Sequence, residues 1–175
     1  MKKVIITAMA ILMATVTMKA QTYTTLWKQV KEAEQQDLPQ TGQQVLTQIV
    51  EKATHEQNYG QLLKAELLQA QMQCEVAPDS LRPVVDRLTV QAAQAEGDHA
   101  LQAVWHAVLG YIYQHNPWLD PDRHEGLAHD YFAQALARPD ELAQVKATAY
   151  EPFVVKGQDS RFFGDDLLSL IGCTA

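Results

Sequence analysis

Residues 101–139 read LQAVWHAVLGYIYQHNPWLDPDRHEGLAHDYFAQALARP, and this stretch decides the fold. Its apolar residues recur at spacings of three and four, which is the period of a helix with a buried face. The first predicted helix carries Leu101, Val104, Trp105, Val108, Leu109, Ile112 and Tyr113. We expect a loop over residues 116–120, a second helix opened by Pro121, and an end at Arg138–Pro139. The stretch therefore predicts two antiparallel helices joined by an enlarged loop.

The same stretch resembles one tetratricopeptide repeat. Leu109, Gly110 and Tyr113 match the first-helix pattern, and Ala128, Phe132 and Ala135 match the second-helix pattern. Pro139 falls near the terminal proline of the repeat. The two halves stand about six residues further apart than the pattern allows. We expect the glycine and alanines to let the two helix backbones approach closely.

The rest of the chain up to residue 140 shows the same helical texture. Helices are expected over residues 23–36, after Pro39, after Tyr59–Gly60, and from Pro83 to about Glu96. Asp79 or Ser80 is expected to cap the fourth helix, Gly97 to adopt the left-handed turn that ends it, and Asp98 to cap the fifth. The predicted fold class is all-α: a stack of about three antiparallel helical hairpins, tetratricopeptide-like, followed by an extended segment and a short terminal helix.

After Pro139 the pattern changes. Residues 140–147 allow a short helix, residues 150–157 are expected to be extended with a turn at Gly157, and Gly164-Asp165-Asp166 is expected to cap a helix over Leu167–Ile171. We therefore predict a helical domain over residues 21–147 and a connector over residues 148–175 that leads into further modules. The candidate connector contacts are Phe153, Arg161, Leu167 and Leu168.

The first twenty residues have the pattern of a secretory signal peptide. Lys2 and Lys3 precede a mostly apolar run, Val4 to Met18, and Ala20 supplies the small residue before a cut at Gln21. An uncleaved anchor is the alternative, although the run is short and rich in threonine for a membrane span. No cysteine follows the cut, so a lipid anchor is not expected. We predict export to the periplasm or cell envelope, in soluble form after cleavage.

The charge of the mature chain excludes one class of partner. Residues 1–20 hold three of the 14 basic residues and none of the 21 acidic ones, so residues 21–175 carry 11 − 21 = −10. Nucleic-acid binding depends on Lys and Arg that neutralise phosphates. Nucleic acid is therefore not expected as a partner.

Catalytic and metal-binding patterns are weak throughout the sequence. His124 and His129 are five residues apart, whereas the zinc-protease helix places its two histidines four apart on one face. His99 and His106 can share a face but lack a third ligand at matching spacing. No phosphate loop or nucleophile with a base partner is apparent. We predict no enzyme activity, no metal and no cofactor.

Two side-chain types leave alternatives open. Cys74 and Cys173 can form a disulfide in an oxidising compartment, but a buried free thiol at Cys74 is the favoured interpretation. Trp118 lies between Pro117 and Leu119 in the enlarged loop, which makes it the candidate interaction residue. The alternative is that Trp118 folds back over its own hairpin, since an aromatic side chain gains from burial.

Two stretches carry a family resemblance. They are LWKQVKEAEQQDLPQT at residues 26–41 with QLLKA at 61–65, and YEPF at 150–153 with KG at 156–157, DSR at 159–161 and DDLL at 165–168. Both resemble the N-terminal helical region of the large alpha-2-macroglobulin-like proteins of Bacteroidetes-type bacteria. The family's full-length members trap proteases with many β-sandwich modules and, in many cases, a Cys-Gly-Glu-Gln thioester. Cys74 is followed by Glu75 and Val76, so no thioester is implied here.

Together these patterns predict a non-catalytic helical leader of a secreted macroglobulin-like endopeptidase inhibitor, acting in scaffolding or protein interaction. Its expected partners are a protein or downstream modules of the same chain, with proteases engaged through the full-length protein. The alternative is a free-standing periplasmic helical-repeat adaptor that binds a protein or peptide. A small periplasmic hydrolase lacks any supporting group of residues.

Overall fold

A computed structural model describes residues 21–155 and 157–175 of the chain. This part of the chain folds into eight α-helices and contains no β-strand, so the predicted all-α class is confirmed. The helices are α1 (Tyr23–Gln35), α2 (Pro39–Glu56), α3 (Tyr59–Val76), α4 (Leu81–Gln94), α5 (His99–His115), α6 (His124–Ala135), α7 (Pro139–Leu142) and α8 (Leu167–Gly172). Short 3₁₀ turns cover Pro78–Ser80, Pro117–Leu119, Ala147–Tyr150 and Gln158–Phe162. None of the described helices is both long enough and apolar enough to cross a membrane.

Helices that follow one another in sequence also pack together. The contacts are extensive between α1 and α2, α2 and α3, and α5 and α6, and smaller between α4 and α5. Helices α3 and α4 touch only slightly, and the 3₁₀ turn over Pro78–Ser80 packs against both of them. The arrangement is compatible with the predicted stack of helical hairpins, although α3 is paired more closely with α2 than with α4.

The buried side chains form two apolar cores that meet at α3. The smaller core joins α1 and α2 to one face of α3 through Leu26, Leu46, Ile49 and Met72. The larger core contains the opposite face of α3, including Leu63, and extends to α8. Since α3 is buried on two sides, its apolar residues do not form the single stripe of a surface helix. This helix is the structural centre of the chain.

Only one charged side chain in the described residues is fully buried. Glu66 on α3 is 3 % exposed, and its carboxylate accepts a hydrogen bond from the guanidinium of Arg87 on α4. A buried carboxylate needs such a partner because leaving water without one is costly.

Asp98 caps α5 as predicted, because its side chain accepts a hydrogen bond from the Leu101 amide at 3.0 Å. The prediction for Gly97 was wrong, since no described glycine has a positive φ. The left-handed residues are instead Asp37 and Gln57, which end α1 and α2 before tight reversals. Ser80 occupies the cap position of α4, but its side chain makes no capping hydrogen bond.

The boundaries of the sixth helix differ from the prediction. Pro121 does not open the helix, because the amides of Arg123 and His124 both bond to the carbonyl of Asp120 and form a turn first. Helix α6 therefore begins at His124 and ends at Ala135, and Pro139 opens the separate helix α7.

The close helix approach expected at Gly110 is present. A Cβ built on Gly110 of α5 would lie 3.1 Å from the ring of Phe132 on α6. This distance is tighter than ordinary contact, so a hydrogen at this position lets the aromatic ring pack directly on the α5 backbone.

Residues 150–157 were predicted to be extended, and this was wrong for residues 150–154; Lys156 lies outside the described residues. Tyr150 and Val154 are both buried in the larger core, and the Val154 amide bonds to the Tyr150 carbonyl at 3.0 Å, which closes a turn. The bend brings the backbone of Glu151 against Gly60 at the start of α3. The segment therefore turns because the turn buries both Tyr150 and Val154.

The last helix has the predicted position and cap. Asp166 caps α8 by accepting a hydrogen bond from the Ser169 amide at 2.7 Å. The helix then docks on the stack: Leu167 is 0 % exposed, and its amide bonds to the Val145 carbonyl at 2.9 Å. The larger core thus includes residues from both sides of the boundary predicted at residue 148.

Candidate functional site

An apolar groove runs between α3, α5 and the terminal segment, by which we mean residues 150–155 and 157–175. Its volume is about 420 Å³. It is lined by Leu67 of α3, by five residues of α5, and by the terminal segment: Val104, Ala107, Val108, Tyr111, Ile112, Phe153, Val154, Val155, Leu170, Ile171 and Thr174. We call this feature the apolar groove. Nearly all of its lining side chains are hydrocarbon, as in sites that take an apolar side chain or peptide.

Helix α5 forms one wall because it is apolar on more than one face. Trp105 and Leu109 point into the larger core and are fully buried. Val108 and Ile112 are only partly buried, and Tyr111 is exposed. A helix with this surplus of apolar surface needs a second covering element. The terminal segment supplies part of that cover and leaves a depression beside it.

The opposite wall is held in place by specific hydrogen bonds. The amide and hydroxyl of Thr148 both donate to the carboxylate of Asp165, at 3.2 and 3.0 Å. Together with the Asp166 cap, these bonds fix the loop that precedes α8. The groove is therefore a preformed feature of the fold, with its second wall tied back to the stack.

A second depression adjoins the first across Val154, Val155 and Leu170, which line both. Its volume is about 270 Å³, and its far side includes Phe163 and Cys173. Val155 is 80 % exposed, and Phe162 and Phe163 are exposed as well. Large apolar side chains exposed together mark interaction sites more often than scattered ones do. The terminal segment therefore carries three exposed large apolar side chains.

Trp118 lies elsewhere, in the 3₁₀ turn Pro117–Leu119, and does not line the apolar groove. It is 57 % exposed, so the alternative that it folds back over its own hairpin is wrong. The next residue, Leu119, is buried in the larger core. Trp118 remains a candidate contact residue on a separate surface.

The four candidate connector residues have different environments. Phe153 is half-buried and lines the apolar groove. Leu168 is half-buried against the larger core, and Leu167 is fully buried within it. Arg161 is exposed, with its guanidinium carbon 4.7 Å from the centre of the Phe162 ring. Leu167 therefore fastens the terminal segment to the stack and does not present a free surface.

The histidines identified in the sequence separate into two places. His99 and His106 share a depression between α4, α5 and α6, whereas His124 and His129 line a different one. The His106 ring lies 5.9 Å from that of Tyr131, and its Nδ1 is buried without a hydrogen-bond partner. Burial lowers the pKa of His106 below its usual value. Within residues 21–155 and 157–175, no three His, Cys, Asp or Glu residues are grouped to hold a metal.

Both cysteines are free thiols. Cys74 is half-buried against the larger core, and burial raises the pKa of its thiol, which keeps it protonated and unreactive. Cys173 is exposed beside the second depression. The proposed signal-peptide cut falls between Ala20, which lies outside the described residues, and Gln21, which is exposed.

Sequence reasoning placed Leu67, Val108 and Leu170 on helices and Phe153 in an extended stretch, but it did not bring them together. Leu67, Val108 and Leu170 come from three distant segments, which are α3, α5 and the terminal segment, and no local spacing relates them. One signal for the groove was present in the sequence. Helix α5 has more apolar residues than one buried face requires, which indicates that a second element covers it.

Comparison with known proteins gives no matching family, no significantly similar curated protein and no significantly similar solved structure.

Proposed function

We propose that this chain acts without catalysis, as a helical interaction segment that binds an apolar stretch of protein in the apolar groove. The observation that carries the proposal is the preformed groove between α5 and the tethered terminal segment. Its apolar lining favours burial of hydrocarbon side chains at about 25 cal/mol per Å². Its partly exposed valines and Tyr111 are the residues that a partner would cover.

For the wider context we propose a secreted, macroglobulin-like endopeptidase inhibitor of the bacterial envelope, in which this chain is the helical leader. The support is the resemblance of residues 26–41 and 150–168 to the leader of that family. In this proposal the groove receives a downstream module of the same chain, and proteases are engaged by the full-length protein. The gene sequence past the codon for Ala175 tests it. An open frame that encodes β-rich modules supports the leader, and a stop codon contradicts it.

The second candidate is a free-standing periplasmic adaptor of the helical-repeat kind. It is favoured by the docking of α8, since Leu167 and Ile171 are buried in the stack without help from another module. A segment that only linked two modules would not need to bury its side chains in the core of the helical module. In this case the groove receives a different protein.

Site-specific photo-crosslinking distinguishes these proposals. A photoreactive phenylalanine analogue replaces Tyr111 in the groove, and the control carries it at Val90, which is exposed on α4 away from the groove. Irradiation of cells that export the protein should give a discrete adduct from position 111 and none from position 90. An internal crosslink within a longer chain supports the leader, and an adduct with a second protein supports the adaptor.

A matched pair of charge substitutions provides the control. Val155→Asp places a carboxylate in the groove wall, and Val90→Asp places one on α4, outside the groove lining; the two valines are 80 % and 53 % exposed. Neither change removes a buried side chain, so both variants should fold. The adduct at position 111 should be lost in Val155→Asp and kept in Val90→Asp. Equal adducts in both variants would contradict a role for the groove.

Export is proposed on the signal-peptide pattern. The mass of the exported protein should correspond to a chain that begins at Gln21. An intact Met1, or a lipid on any residue, would contradict this proposal.

A further inference from the structure

A second groove lies on a different surface, between α2, α3 and α4, and its lining is polar. Its volume is about 580 Å³. Five glutamines line it: Gln40, Gln43 and Gln44 from α2, and Gln69 and Gln73 from α3. We call this feature the glutamine groove. It shares no lining residue with the apolar groove.

The glutamines form two facing rows. On α2 they occupy successive turns from Gln40 to Gln44, and Thr47 continues the row. On α3 the row runs from Glu66 through Gln69 to Gln73. Seven residues of helix rise about 10 Å, which is the length of roughly three residues of extended peptide. The groove can therefore follow a short extended chain.

Most of these amides are not used by the fold. The Gln69 amide nitrogen donates to Thr47 Oγ1 at 3.0 Å, which ties α3 to α2. Among the described residues, the side-chain amides of Gln40, Gln43, Gln44 and Gln73 have no hydrogen-bond partner. Gln43 and Gln73 are also half-buried. Each amide offers one carbonyl acceptor and two N–H donors to a ligand.

The charges in the groove cancel. Glu66 is buried at its base, and Arg87 of α4 pairs with it, so the lining carries no net formal charge. The side chain of Arg87 is about one-third exposed. Its N–H groups that do not bond to Glu66 are available as donors. A ligand that fits this groove is therefore neutral and rich in both donors and acceptors.

We propose that the glutamine groove binds an extended, uncharged polypeptide segment through the backbone amides of that segment. Peptide groups alternate C=O and N–H, which pair with the free glutamine amides in both directions. The groove lining contains no aromatic side chain on which a sugar ring could stack, so a polypeptide fits it better than a polysaccharide. It also lacks an apolar pocket, so binding is weak and tolerant of sequence, on the order of 1 mM.

Nuclear magnetic resonance of the ¹⁵N-labelled protein tests this proposal. The probe is a pentapeptide of serine, threonine and asparagine with acetylated and amidated ends, added to about 10 mM. The side-chain NH₂ signals of Gln43, Gln44 and Gln73 should shift and saturate together. A tetrasaccharide of N-acetylglucosamine serves as the comparison ligand and should leave them unchanged.

Matched variants connect the shifts to the groove. The double variant Gln44→Ala, Gln73→Ala should bind the peptide about tenfold more weakly, as expected when two net-favourable hydrogen bonds are lost. Gln48→Ala changes an exposed glutamine one turn further along α2 that does not line the groove, and should bind normally. Alanine favours helix, so all the variants should fold.

The proposal is overturned by any of three results. These are an absence of shifts up to the highest peptide concentration, unchanged affinity in the double variant, and shifts caused by the tetrasaccharide but not by the peptide.

Discussion

Replacing Gly60 with alanine tests whether the terminal segment docks on α3. Docking reverses the sign of the expected change in the free energy of unfolding. Gly60 is the second residue of α3. In an open helix, alanine is more stable than glycine by up to about 1 kcal/mol, since glycine loses more backbone entropy on folding. An undocked segment would therefore make Gly60→Ala stabilising.

With the segment docked, the substitution should destabilise the protein. A Cβ at position 60 would lie 2.1 Å from the carbonyl oxygen of Glu151 and 2.6 Å from that of Tyr150. These are backbone atoms of a turn, and they cannot move away as a flexible side chain could. Overpacking of this kind costs up to about 3 kcal/mol. After the helix gain of about 1 kcal/mol is subtracted, we expect a net loss of about 2 kcal/mol.

The measurement is the free energy of unfolding from urea titrations followed by circular dichroism. Gly126→Ala is the matched control, because Gly126 is the third residue of α6 and a Cβ there meets nothing within 4 Å. The control should be stabilised by about 0.5 kcal/mol. If Gly60→Ala also gains stability, the terminal segment does not cover the start of α3, and the groove beside it loses its second wall.

Three further predictions follow from the packing and from the titration of His106. Trp105→Ala should destabilise the protein by about 3–5 kcal/mol in the same assay, because the indole is 1 % exposed in the larger core. A loss under about 1 kcal/mol would place Trp105 outside the larger core. The pKa of His106 is lowered by burial, so the unfolded chain binds its proton more readily. The free energy of unfolding should therefore fall as the pH drops below about 6.5, the usual pKa of histidine. His106→Leu should make this pH dependence weaker. An unchanged slope would contradict the burial argument. Backbone amides of Leu170 and Cys173 should exchange slowly with deuterium in the isolated chain, since they are bonded within the docked helix, and exchange at unfolded rates would show that α8 is free.

Much of the fold could be predicted from local patterns. The apolar period located α1 to α5, and short side chains marked two caps correctly, at Asp98 and Asp166. Gly110 was identified as a point of close approach because its place in a repeat-like pattern implied a facing helix. These features depend on a few neighbouring residues, so the sequence contains the information directly.

Other features depend on contacts between distant residues. The left-handed conformation occurs at Asp37 and Gln57, where the chain reverses between packed helices. Gly97 does not adopt this conformation. Residues 150–154 form a turn instead of an extended strand, because Tyr150 and Val154 are buried in the larger core. Both candidate grooves belong to this class. Their walls come from three separate segments, and no spacing within one segment indicates that the segments meet.

The position of α3 between the two cores determines how the chain unfolds. Leu63 belongs to the larger core and Met72 to the smaller one, yet both stand on this single helix. Melting α3 would dissolve both cores at once, so loss of the larger core also removes the surface on which α1 and α2 rest. The reverse does not hold, because α1 and α2 can open and expose only one face of α3. Cooperativity is therefore directional: local opening at the amino-terminal hairpin can precede global unfolding, but that hairpin does not outlast the rest of the molecule.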